Sequence, residues 1–112
     1  MTENGAMMEN HSGSYEDYSP EKIAQGDGKK ILFFHAIWCP TCKGLERNIL
    51  KNANDIPSDV TILKADFDKE GDLKRKYGVT VQHTLVQIDS AGELVAKWVG
   101  SSTLNSLLSQ VK

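Results

Sequence analysis

Two cysteines three positions apart, in Cys39-Pro40-Thr41-Cys42, mark the junction between an apolar run and a stretch of helical periodicity. Upstream, Ile31 to His35 is a compact apolar segment of the kind found in strands buried on both faces. Downstream, Leu45, Ile49, Leu50 and Ala53 recur at helical spacing, which predicts a helix from Pro40 to near Asn54. Proline is tolerated at the first helical turn because its missing N–H would have had no partner there. Cys39 is therefore expected where a buried strand hands over to a helix. Unpaired N–H groups and the positive end of the helix dipole favour a thiolate at that point, and a thiol of lowered pKa is a nucleophile near neutral pH. Cys42, one turn on, stands close enough to attack a mixed disulfide formed at Cys39. A structural staple explains the pair poorly, because a bridge closing so short a loop removes little chain entropy from the unfolded state.

The remaining sequence supplies an α/β framework for this junction. Residues 1–14 are polar, small and aperiodic and read as a disordered tail, leaving residues 15–112 as a single domain. Tyr15 to Tyr18 is a short alternating stretch suited to an edge strand. Ser19-Pro20 signals the start of a brief helix that Gly26-Asp27-Gly28 breaks. Val60 to Ala65 is a second buried strand. Leu73 and Tyr77 mark a short helix ending at Gly78, a residue suited to a left-handed C-cap. Leu85 to Ile88 and Leu94 to Val99 are strands joined through Asp89-Ser90-Ala91-Gly92, and Leu104, Leu107, Leu108 and Val111 form the stripe of a closing helix. The predicted order is β-α-β-α-β-α-β-β-α, a mixed central sheet flanked by helices on both faces.

Composition narrows the partners. A net charge of −2 provides no concentrated basic face for nucleic acid or an acidic membrane surface. No run approaches the ~18 apolar residues of a membrane span, and Met1 to Asn10 lacks a basic-then-apolar signal pattern. A monomer is expected.

These residues together resemble the thioredoxin family. The resemblance covers roughly Tyr15 to Val111 and rests on Phe34 to Lys43 (FHAIWCPTCK), Lys64 to Asp68 (KADFD), Lys76-Tyr77-Gly78-Val79 leading to Thr84-Leu85, Gly92, and Trp98-Val99-Gly100. It implies a thioredoxin-like fold and thiol–disulfide oxidoreductase activity, with Cys39 attacking a disulfide and Cys42 resolving the mixed disulfide. The implied partners are proteins carrying disulfides or thiols, plus an unidentified reductase or oxidant. The redox-active disulfide would serve in place of any added cofactor. Trp38, Pro40, Thr41, Gln82 and Thr84 are the expected substrate-contacting residues. The loop from Val81 to Thr84 is expected opposite the cysteines, where its backbone would pair with an extended peptide. The opening Tyr15-x-x-Tyr18-Ser19-Pro20 is similar to exported, envelope-attached bacterial members, which favours an extracytoplasmic setting over the cytoplasmic alternative.

The chain departs from the family pattern at two positions. Six residues before the first cysteine the family carries a buried aspartate, but here the residue is Phe33, so Lys64, which matches that aspartate's lysine partner, is expected to lack an acid. Where the family places a cis-proline before a threonine, the sequence reads Gln82-His83-Thr84. A cis bond before a non-proline residue costs about 2.5–4 kcal/mol, so Gln82–His83 is expected to be trans. His83 is then expected to project toward the cysteines and supply proton chemistry, since imidazole ordinarily titrates near about 6.5.

Two other functions compete with exchange. Cys39, Cys42 and His83, with His35 as a further candidate, have the ligand chemistry of a zinc or copper binding or delivery module. A non-catalytic thioredoxin-like binding domain is the other. His35 itself reads first as packing on its strand, and Phe33, Phe34, Phe67 and Trp98 read as core. The acids Asp66, Asp68, Glu70 and Asp72 lack the glycine and glutamate of a calcium loop and read as a solvated turn.

Overall fold

The computed structural model describes residues 13–26 and 28–112. The tail reading for residues 1–12 lies outside them. The first strand begins one residue earlier than the sequence suggests: β1 spans Ser14–Asp17, and the Gly13 N–H donates to the Ile56 carbonyl at 2.8 Å. The other elements are β2 (Lys29–His35), α1 (Pro40–Lys51), β3 (Val60–Asp66), α2 (Gly71–Tyr77), β4 (Thr84–Ile88), β5 (Leu94–Val99) and α3 (Leu104–Ser109). The five strands form one sheet in the order β1-β3-β2-β4-β5. β1 and β2 run parallel to β3, while β4 is antiparallel to both β2 and β5.

Three elements are shorter than their sequence signals. The Ser19-Pro20 start yields only a 3-10 turn over Pro20–Lys22, and the Ser19 hydroxyl caps nothing. A segment that meets Gly26 so soon does not repay the entropy of helix nucleation. The helix after the cysteines stops at Lys51, followed by a separate 3-10 turn at Ala53–Asp55, and α3 stops at Ser109, short of Val111. The left-handed stop of α2 is as expected: Gly78 has φ +66°, and the Val79 N–H returns to the Lys74 carbonyl at 2.8 Å.

Residues of β2 alternate between two cores, as the period-two geometry of a strand requires. Ile31 and Phe33 face α1 and α3, packing with Cys42, Leu45, Ile49, Leu104 and Leu107. Leu32 and Phe34 face α2, packing with Leu73, Tyr77 and Val86. Every residue of β2 after Lys29 is buried. The central strand is thus fixed on both faces, and its C-terminal end delivers the cysteine pair to a rigid place at the edge of the first core. Trp98 is half-buried against that core and donates from Nε1 to the Ser101 hydroxyl at 2.8 Å.

Candidate active site

Cys39 is the N-cap of α1. Its backbone is extended (φ −98°, ψ 107°), and its sulfur accepts the Cys42 N–H at 3.1 Å, one of the donors that a helix start leaves without an internal partner. A second hydrogen bond joins the sulfur to the Thr41 hydroxyl at 3.3 Å. Burial alone would push the Cys39 thiol up, but the hydrogen bonds from Cys42 and Thr41 outweigh it and hold the group below the ordinary thiol value. Cys42 differs. It is fully buried in the apolar core, and burial together with its hydrogen bond to Cys39 pushes its thiol up to about 12. Both thiols are unbridged.

His83 comes to the same place from across the sheet end. The Gln82–His83 peptide is trans, as expected, and His83 adopts φ +66°. This left-handed conformation is uncommon outside glycine but enriched for histidine, and proline cannot adopt it. The His83 N–H, which proline would lack, donates to the Phe34 carbonyl at 2.8 Å, and the His83 carbonyl accepts the Gly100 N–H at 3.1 Å. The side chain is 5% exposed. Its Nδ1 lies 2.9 Å from the Thr41 hydroxyl and its Nε2 lies 2.6 Å from the Ser101 carbonyl. The His83 ring also packs on Phe33, with centroids 5.8 Å apart.

Lys64 does find an acid, contrary to the expectation from Phe33. Glu46, four residues beyond Cys42 and so on the same side of α1, receives the Lys64 ammonium at 2.9 Å and the Tyr15 hydroxyl at 2.6 Å. His35 is buried with its Nε2 3.5 Å from Glu46, outside good hydrogen-bond geometry, and its ring stands edge-on to Phe33 at 5.4 Å. Burial would raise the Glu46 carboxyl, yet Tyr15 and Lys64 more than offset it and hold the group below the usual carboxylate range. Burial foremost, then Glu46, pushes the Tyr15 phenol upward, and burial pulls the His35 imidazole downward. The packing reading of His35 holds, but Glu46 was missed. Its one available signal was the helical spacing from Cys42.

The expected substrate contacts divide into two groups. Trp38, Pro40 and Thr41 are exposed and Gln82 is half-buried, so all four border the cysteines from accessible positions. Thr84 is not available: it is buried in β4, and its hydroxyl donates to the Val81 carbonyl at 2.8 Å. His83 faces inward, and its backbone N–H and carbonyl are already paired, so strand addition at that residue is ruled out. Ile37 and Val81, 71% and 46% exposed, add apolar surface that the sequence reading did not assign. Trp38 is anchored through Nε1 to the Asp68 carboxylate at 3.0 Å and lies edge-on to Phe67. Part of the acidic turn therefore holds the tryptophan, while the Asp66 carboxylate caps the Asp68 N–H.

The three metal-type ligand atoms of Cys39, Cys42 and His83 lie within 4.8 Å of one another, and among the described residues no fourth His, Cys, Asp or Glu joins them. The short contact of Nε2 to a carbonyl requires a proton on Nε2, and Thr41 occupies Nδ1. Neither imidazole nitrogen is free to ligate, so a metal centre is not favoured.

A strand-to-helix junction carrying two thiols in unlike surroundings, set in a mixed sheet with helices on both faces, defines a dithiol domain of the α/β class. The family model described as Thioredoxin matches residues 11–112. The chain belongs to the thioredoxin family. It is 32% identical over 80 residues to mitochondrial thioredoxin-3 of Saccharomyces cerevisiae, covering 71% of this chain and 61% of that protein. It is 31% identical over 88 residues to a Rickettsia bellii thioredoxin, covering 79% and 83%. The crystal structure of oxidised yeast mitochondrial thioredoxin 3 superposes with a TM-score of 0.66 at 30% identity, covering 81% of this chain and 82% of that one. A mutant thioredoxin from Halobacterium salinarum gives 0.69 at 26% identity, covering 90% and 92%. The chain spans about three-fifths of the length of the first curated relatives it matches.

Proposed function

We propose that this chain is a thiol–disulfide oxidoreductase acting on protein or small-molecule disulfides, with Cys39 as the attacking thiol and Cys42 as the resolving thiol. The observation that carries the reading is the asymmetry of the pair: the Cys39 sulfur accepts the Cys42 N–H at 3.1 Å and meets the Thr41 hydroxyl at 3.3 Å, which hold its thiol below the ordinary value, while burial pushes the Cys42 thiol up. Only the thiolate attacks, so the order of events follows from which sulfur ionises first. The Cys39 thiolate attacks one sulfur of the substrate disulfide, forming a mixed disulfide and releasing the other sulfur as a thiolate. Cys42, after losing its proton, attacks Cys39, forming the Cys39–Cys42 disulfide and freeing the substrate's second thiolate. The substrate is reduced by two electrons and the pair is oxidised by two.

Cys39 is only 1% exposed, so an incoming disulfide must displace its exposed neighbours Trp38, Pro40 and Thr41, with Ile37 and Val81 as further exposed apolar side chains close in sequence to Cys39 and His83. This surface is largely apolar, which suits the segment flanking a protein cysteine. Trapping provides the test. The Cys42→Ser variant should accumulate a mixed disulfide with substrate, and Cys39→Ser should not react. A wild-type protein that cannot cycle between dithiol and disulfide would point instead to a non-catalytic binding domain.

A further inference from the structure

Thr41 lies between Cys39 and His83, and its hydroxyl touches both, at 3.3 Å to the Cys39 sulfur and 2.9 Å to His83 Nδ1. The donors and acceptors along this line are fixed by its far end. The Ser101 carbonyl can only accept, so Nε2 carries a proton, and in the neutral imidazole Nδ1 must then accept. The Thr41 hydroxyl has one proton, which it gives to Nδ1, leaving its lone pairs to receive the Cys39 S–H. When the proton moves, the two bonds at the Thr41 hydroxyl reverse without any heavy atom changing place, while Nε2–H goes on donating to Ser101: Nδ1–H donates to Thr41, and Thr41 donates to a Cys39 thiolate.

We propose that the Thr41 hydroxyl is a catalytic proton carrier that links Cys39 to His83. This inference rests on Cys39 being the attacking thiol. In the forward step the Cys39 S–H bond breaks, its proton passes to the Thr41 oxygen, and the Thr41 proton passes to Nδ1, giving thiolate and imidazolium with no electron transferred. The thiolate then supplies the electron pair of the new S–S bond, and the substrate S–S bond breaks with its pair on the departing sulfur. That sulfur is protonated through the reverse relay, which returns His83 to its neutral form. Among the described residues, Cys42 is the other His, Cys, Asp or Glu side chain gathered with Cys39 and His83. Tyr15, His35, Glu46 and Lys64 form a separate cluster one turn further along α1.

The geometry also supplies clean variants. Thr41 is exposed, so Thr41→Val removes the hydroxyl and keeps the branched shape without disturbing the core. At φ +66° a glycine is unstrained, so His83→Gly deletes the imidazole and leaves the backbone bonds intact. The experiment measures Cys39 thiolate formation by ultraviolet titration, together with the pH profile of attack on a small aromatic disulfide. Thr41→Val should raise the Cys39 midpoint and slow attack at neutral pH by about ten- to a hundredfold, at or below the lower end of general acid–base contributions. Thr41→Ser should restore both. His83→Gly should lose the same factor and regain rate when free imidazole is added, an effect that a purely structural role would not produce. Wild-type titration and rates in Thr41→Val and His83→Gly, with the parent protein turning over, would overturn the relay and leave the oxidoreductase reading standing. A parent protein inert toward the disulfide would instead overturn that reading, and the relay with it.

Discussion

Cys39 and Cys42 are separated by one helical turn, yet their surroundings share little. Cys39 sits among donors: the Cys42 N–H, the Thr41 hydroxyl and, beyond it, the His83 imidazole. Cys42 packs with Phe33, Leu45 and Ile49 and has a His83 ring nitrogen within 4.8 Å, and the Tyr15–Glu46–Lys64 cluster lies one turn on along its helix. Helix geometry accounts for the contrast. The N-cap residue is outside the ladder and can receive orphan N–H groups, whereas the third residue of the helix already points its side chain at the sheet. Two identical side chains thus acquire opposite acid strengths from position alone.

The contrast can be broken most directly by alkylation. With the reduced protein at neutral pH, iodoacetamide should modify Cys39 at least about a hundredfold faster than Cys42, because thiolate population falls tenfold for each unit by which the thiol value exceeds ambient pH. Peptide mass spectrometry reads the site, and equal labelling would show that the two environments do not differ as described. A smaller effect is expected from Glu46→Gln, which retains an acceptor for Tyr15 but removes the charge facing Lys64. It should cost about 1.5 kcal/mol in denaturant unfolding at neutral pH, the lower end for hydrogen bonds to charged groups. A carboxyl held below its unfolded-state value stabilises the fold above that value, and the contribution fades as pH falls through the lowered one. The wild-type and Glu46→Gln stabilities should therefore converge in acid, and a gap that persists or widens there would sink the assignment of Glu46 as an ionised partner. The smallest effect is expected at Trp38. Asp68→Ala frees an exposed indole, so stability should change by no more than about 0.5 kcal/mol while the fluorescence of Trp38 shifts. An unchanged spectrum would show that the Asp68 contact does not hold the ring.

Local chemistry made much of this legible in the sequence. The apolar run before Cys39 suited a doubly buried strand, and Gly78 ended α2 where a left-handed residue was needed. The turn at Asp89 to Gly92 joined β4 to β5, with Gly92 at φ +82° and the Asp89 carboxylate capping the Ala91 and Glu93 N–H groups. What escaped the sequence were contacts made at long range. The Glu46 carboxylate meets Tyr15 across 31 positions, and His83 meets Thr41 across 42, so no spacing rule connects them. The missing aspartate at Phe33 suggested an unpaired Lys64 because the acid was sought on the strand; α1 supplies it. Thr84 looked available for substrate until its place in the sheet was known, since a strand's first residue can face either the loop or the core.

The left-handed backbone at His83 has a consequence for substitution. If every amino acid were introduced at that position, selection for a folded chain would retain glycine, asparagine, aspartate and histidine, the residues that enter that conformation at least cost. Selection for fast exchange would retain histidine. The second set would be nested inside the first, separating at one codon what the chain needs for its shape from what it needs for its chemistry.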